Sequence, residues 1–554
     1  MGLFSAMLVF WASMLVIFVM LNRGIWVFTD VSKSMSMFML EKALGPAADF
    51  AEGRKGSGAK AWIIQGALWL IPASTLTFCG LWLSHDPVAL HSLSSWGLNP
   101  TSSSLIMAGN LTTFYGSVGM LMIGAALHIV PSLGATSLAS EKNASLMSFV
   151  WTLSVLVLII GSNNPEVFGI KLLLVATALH TLSLMAVIVN MLLTAASRTR
   201  KMALPAWLII IGLISDPLSI VVLAVAGVLD SGTGQWLAVR FAGGGFFFMQ
   251  AAGISLFAAS RGTGNPLWSR SLAAVTMLGA ILTINPMGYT DGSIAADLLG
   301  IDPASLEPTR NDIIAGSFLM ALAAIPIIAL SANILATMRG DDVFMENPDY
   351  PGMPEINLGA FMLLPLGIGA LFVQTDHLTG TNELGGISST LVIMVAWLVM
   401  VPLALGSSLS IFPEASGRNV LSVSRSRWAY WAMAGGAFSG LIITMMSDFA
   451  DMSLAEAAVE SETTIGNRLR VLGSVLFYGT VIGAVLHCLN MISGSFRGSL
   501  IGELSTPSST SISSPFKLTE ETTVRKILAQ REGKLDTVVV PESNSESPGK
   551  PTEL

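Results

Sequence analysis

This chain has too little charge to cover a water-facing surface. Of its 554 residues, 11% are Asp, Glu, Lys or Arg and 52% are hydrophobic. Soluble domains carry about 25% charged residues, so the composition excludes a water-soluble globular protein and leaves a polytopic membrane protein. Cysteine is nearly missing. Cys79 and Cys488 are the only two, both inside apolar runs, and they provide neither a disulfide framework nor a thiolate metal site. Histidine is scarce, with His85, His91, His128, His180, His377 and His487 the full set. Period-two alternation is lacking, so helices are the expected way to satisfy the backbone in lipid. No repeat of fixed period stands out, and no nucleic acid is expected as a partner.

What is there is a series of long apolar runs. A spanning helix needs about 20 apolar residues. Thirteen segments qualify, at 3–22, 60–83, 104–131, 144–161, 166–195, 205–228, 237–259, 269–285, 312–337, 357–374, 386–406, 428–446 and 469–493. Lys and Arg gather in 23–59, 196–204, 260–268 and 407–427, and are missing from 84–103, 162–165, 229–236 and 375–385. By the positive-inside rule the basic set faces the cytoplasm, which predicts an outer amino terminus and an inner carboxyl tail. The first run has Arg23 after it and no positive residue before it, which reads as a retained anchor. Residues 496–554, rich in Ser, Thr, Pro, Glu and Lys from 499 on, read as a disordered tail.

Several short motifs fall in a fixed order. Thr113-Phe114-Tyr115-Gly116, Met120, Val130-Pro131 and Gly134-Ala135 are followed by Asn143 and Phe149-Val150-Trp151. Ala178-Leu179-His180, Met202-Ala203-Leu204-Pro205-Ala206-Trp207 and Phe412-Pro413-Glu414-Ala415-Ser416-Gly417 come later. Together these resemble subunit I of the haem-copper oxidases: the T-x-H-G and V-P-x-x-x-G-A of its second helix, the S-L-H of its fourth, the M-P-L-x-x-W opening its fifth and the F-P-x-x-S-G link after its tenth. The resemblance covers about 60–495 and implies a twelve-helix all-α core. Residues 1–59 would add one helix and a basic cytoplasmic loop.

That family holds two haems and a copper through six imidazoles on its second, sixth, seventh and tenth helices. At the matching places this chain has Tyr115, Gly244 within Arg240-Phe241-Ala242-Gly243-Gly244-Gly245-Phe246-Phe247-Phe248, and Asn285-Pro286-Met287 where the family reads H-H-M. Residues 378–411 contain no histidine. His128 lies about 20 Å along the helix from Tyr115 and cannot take its place. Glycine, asparagine and phenylalanine offer nothing to haem iron or copper. The family's cross-linked tyrosine has no counterpart, and neither do two of its proton-path charges; Glu141 lies near the third. No cofactor or metal is therefore expected, and haem only through unusual ligands such as Tyr115, Met287, His180 or His487.

Other residues admit two readings each. Asp216, before Pro217 in mid-helix, is a proton or cation relay, or a protonated acid bonded to backbone that Pro217 frees. His180 and His487 are buried polar packing residues or ligands. Glu166 and Lys171 would share one helix end as an ion pair. Asn164-Pro165-Glu166-Val167-Phe168 looks like the family's copper motif but falls on the wrong helix. Gly243-Gly244-Gly245 reads as close helix packing, with the following phenylalanines filling volume. Outer loops carry Asp291, Asp297, Asp302, Glu307, Asp448, Asp451, Glu456, Glu460 and Glu462, either a hydrated surface or a dock for a basic cytochrome domain.

The resemblance without its ligands implies a non-catalytic structural or assembly subunit. It would sit among other membrane subunits of a respiratory complex in a prokaryotic plasma membrane. An active terminal oxidase with unusual ligands, or a proton- or cation-coupled carrier centred on Asp216, are the alternatives.

Overall fold

The computed structural model describes residues 53–92, 100–163, 166–167, 169–228, 241–283, 310–339, 351–379, 383–456 and 465–501. The run at 3–22, Asn285, Pro286, Met287, the acidic residues from Asp291 to Glu307 and the tail beyond 501 lie outside them.

The chain is an all-α, multi-pass membrane protein. Its described residues form α1 (Ser57–Leu83), α2 (Ser102–Gly134), α3 (Glu141–Asn163), α4 (Leu172–Ala196), α5 (Leu204–Val228), α6 (241–263), α7 (Arg270–Thr283), α8 (Arg310–Thr337), α9 (Met353–Thr379), α10 (Gly385–Ser416), α11 (Val423–Glu456) and α12 (Ile465–Arg497). Ten of these are long and apolar enough to cross a bilayer; in α7 and α8 only shorter apolar stretches, Arg270–Ile281 and Ala321–Thr337, are found.

Burial sorts the helices into a centre and a rim. The apolar stretch of α6 is wholly buried, and those of α2 and α10 are 89% and 83% buried, against 33% for α4. These three central helices are also the ones that break α-helical regularity. Each carries a π-helical stretch, at Thr112–Val118, Phe241–Met249 and Ala396–Met400. The π turns of α2 and α10 pack on one another. Phe114 and Tyr115 of α2 meet Phe247 of α6, with ring centroids 5.2 and 5.4 Å apart. A π turn widens the helix and shifts its carbonyls out of register, so other groups must satisfy them. Here the Trp151 indole donates to the Tyr115 carbonyl at 2.7 Å.

On the rim, small residues bring backbones together. A Cβ on Gly440 of α11 would lie 2.7 Å from the Phe477 amide of α12, and one on Gly436 only 2.5 Å from the Thr480 amide. Without water to drive association, such close approach supplies the packing between membrane helices. The last helix returns to the first, where Ser474 of α12 donates to the Leu81 carbonyl of α1 at 3.1 Å. Large apolar side chains that stay exposed, such as Phe318, Phe361 and Phe372, belong to these outer helices and suit a lipid surface.

Three local expectations are corrected. Helix α4 begins at Leu172 and not at 166. Glu166–Val167 and Ile170–Lys171 form a two-stranded antiparallel hairpin in which Glu166 pairs in register with Lys171. Gly169, with φ 77°, makes the reversal that a continuing helix cannot. The Phe412–Gly417 motif is not a link: Phe412 to Ser416 complete α10, and Gly417, with φ 74°, is its left-handed cap. Asp448 lies inside α11, which extends to Glu456.

Candidate functional site

Three residues that the sequence singles out separately meet in one cluster. His180 of α4 and Asp216 of α5 stand 2.7 Å apart, Nε2 to Oδ2, with side chains 13% and 4% exposed. Asp216 lies about 18 Å along α5 from its start, deep in the apolar layer. Its partner is an imidazole on the neighbouring helix rather than the backbone that Pro217 frees. The reason is geometric: α4 passes α5 with His180 level with the acid, and a hydrogen bond is strengthened in a medium of low polarity.

The His180 ring is held on its other sides by aromatics. Trp151 of α3 lies with its centroid 4.2 Å away, and Tyr115 of α2 meets it edge-on at 5.4 Å. Phe246 and Phe247 of α6, both at most 1% exposed, close the cluster through Trp151 and Tyr115. Gly245 brings α6 against α5: a Cβ there would collide with the Ser215 side chain. Close packing is thus seen at Gly245 of the glycine run, and Phe246, Phe247 and Phe248 that follow it are buried. Gly244 is buried in the same π stretch.

These residues do not fit a haem or a copper ion. Gly244 has no donor. Nε2 of His180 is taken by Asp216, and its faces by Trp151 and Tyr115. Among the described residues no group of three His, Cys, Asp or Glu side chains stands close enough to hold a metal ion. Asn285 and Pro286 lie outside the described residues.

His487 is elsewhere. It is fully buried in α12 and faces Glu355 of α9, Nε2 to Oε1, at 3.6 Å. Sequence reading passed over Glu355 because the apolar run starts at 357. The signal was Pro354, which favours the first turn of a helix and places Glu355 inside α9.

The remaining polar candidates are tied down. Glu414 near the end of α10 binds both His128 (2.9 Å) and Arg261. Glu141 spends its two carboxylate oxygens on the amides of Gly56 and Gly58 at 2.9 Å each, capping α1. Asp448 and Asp451 both engage Arg470, and Asp448 also accepts from Thr390 at 2.5 Å. Asp448 and Asp451 thus share a single cation within the chain. Asp376 caps the turn before α10 through the amides of Glu383 and Leu384.

No family model matches this chain, and no curated protein matches it.

Proposed function

We propose that this chain is a non-catalytic relative of haem-copper oxidase subunit I, acting as a structural or assembly subunit of a respiratory complex in a prokaryotic plasma membrane. The run at 3–22 would be a thirteenth span, with the amino terminus outside and the tail in the cytoplasm. The ordered motifs support the kinship, and so does a set of twelve described helices. The observation that carries the loss of catalysis is the aromatic pack of Tyr115, Trp151, Phe246 and Phe247 around His180. It occupies the junction of α2 and α6, two helices that carry ligands in the family. An active oxidase with unusual ligands finds less support, since Nε2 of His180 is engaged and Tyr115 is ring-packed. The test is a reduced-minus-oxidised spectrum of the intact complex drawn from detergent. No stoichiometric haem absorbance in this subunit is expected; strong absorbance assigned to it would end the proposal. The same purification names the membrane partners. A basic cytochrome domain would have to dock on outer acids other than Asp448 and Asp451.

One observation favours a second reading. An acid and an imidazole bonded in mid-membrane, as Asp216 and His180 are, form a natural relay for a proton or cation. A carrier built on them would lose its flux in Asp216→Asn proteoliposomes. Unchanged proton and cation fluxes would remove this reading.

A further inference from the structure

Glu355 and His487 are among the poorly satisfied polar groups of the described core. Their side chains are 2% and 0% exposed. At 3.6 Å, Oε1 and Nε2 are too far apart for a hydrogen bond. Both ring nitrogens of His487 and Oε2 of Glu355 are buried without a partner. A buried polar group without a partner is expensive, and an ionised one far more so. Two such groups face to face on separate helices therefore call for a ligand that both can hold.

The sequence builds this junction deliberately. Gly352, with φ 95°, turns the chain into the bundle just before α9 begins. It lies against Gly406 of α10, where a Cβ would stand 2.6 Å from the Gly352 carbonyl oxygen and 2.9 Å from Glu355 Cβ. Side chains at either glycine would push the start of α9 outward. With both reduced to hydrogen, Glu355 is carried inward to His487. Tyr430 of α11 is 7% exposed, and Cys488 follows His487 on α12.

We propose that Glu355 and His487 form a buried proton-binding site, in which the carboxylate of α9 and the imidazole of α12 share one exchangeable proton. Charge decides the count. With no proton the site holds a bare carboxylate, and with two it holds a bare imidazolium. With one it is neutral overall, either as acid and imidazole or as an ion pair. A metal ion is the poorer ligand, because it needs more donors than this carboxylate and imidazole offer. The separation is within reach of small side-chain rotations, so the proton can pass between Oε1 and Nε2 without movement of a helix. This site is separate from His180 and Asp216 and stands whether or not the proposed function does.

Infrared difference spectra of the full-length protein in lipid nanodiscs test it, taken from mildly acid to mildly alkaline buffer, in light and heavy water. Asp216→Asn removes the other deeply buried acid among the described residues. The expected result is a protonated-carboxyl band that persists in Asp216→Asn, shifts in heavy water and disappears in Glu355→Gln. His487→Gln should move both its frequency and its pH midpoint. Absence of the band in Asp216→Asn, or its survival unchanged in both Glu355→Gln and His487→Gln, would overturn the proposal. So would a band that follows sodium concentration at constant pH, which would make the ligand a metal cation. If Glu355→Gln does not fold, nitrogen-15 histidine spectra of the unsubstituted chain decide. An imidazole that titrates together with the carboxyl band supports the site; imidazoles that all titrate independently of it refute it.

Discussion

The two buried acid–imidazole pairs are built from the same chemistry and do different things. His180 and Asp216 are bonded at 2.7 Å and wrapped by Trp151 and Tyr115, so their polar needs are met between themselves. Glu355 and His487 stand 3.6 Å apart with three polar atoms unmatched. The first pair closes a packed centre, and the second leaves one open. Side-chain type is therefore a poor guide to the role of an intramembrane ionisable residue. The distance to its partner, and what covers the remaining faces, decide it.

The comparison breaks most easily at the closed pair. Asp216→Ala strands His180 without its partner and should lower stability by about 4 kcal/mol, the usual loss when one member of a buried pair is removed. Thermal unfolding in detergent measures this, and a loss below about 1 kcal/mol would show that the bond adds little. Phe247→Ala opens a cavity beside the same cluster and should cost about 3 kcal/mol. It should also loosen the Tyr115 ring, visible as greater tyrosine mobility by fluorescence anisotropy. The open pair should behave in the opposite way. Replacing both residues, Glu355→Leu with His487→Leu, removes unmatched polar atoms and should leave stability unchanged or higher. A large loss in the double variant would mean that the second pair is as closed as the first. The smallest effect is expected at the edge, where His85 meets Trp82 edge to face just past α1. Burial lowers its affinity for a proton in the folded state. The unfolded chain then binds more protons, so stability rises with pH and is lost as pH falls through the imidazole range. His85→Gln should flatten that part of the pH–stability curve slightly, and an unaltered curve would show that its burial does not matter.

Part of the centre is legible in the sequence. The glycine run before Phe246 reads as close packing because glycine in a lipid-bounded helix has few other uses, and Gly245 does abut Ser215. His180 reads as a buried polar packing residue or a ligand, and the structure bonds it to Asp216 of the neighbouring helix. Which neighbour could not be read, because Asp216 stands 36 positions away and helix rotation alone brings the two together. The π stretches were invisible: Thr112–Val118 and Ala396–Met400 share no residue pattern that marks a π turn. Glu355 was missed for a different reason. Apolarity marks where a membrane run begins, whereas the helix begins where the backbone turns, and Gly352 places that turn inside the bundle.

Composition and order alone determined a helical, multi-pass membrane protein and the places of its apolar runs. These are properties of single segments, set by how much apolar length lipid demands and by which atoms each side chain owns. Only tertiary structure decided that one histidine would be satisfied and another left facing an acid across a gap. Pairing depends on the depth and rotation of one helix against another, which arise from glycines, π turns and ring contacts acting together across the bundle.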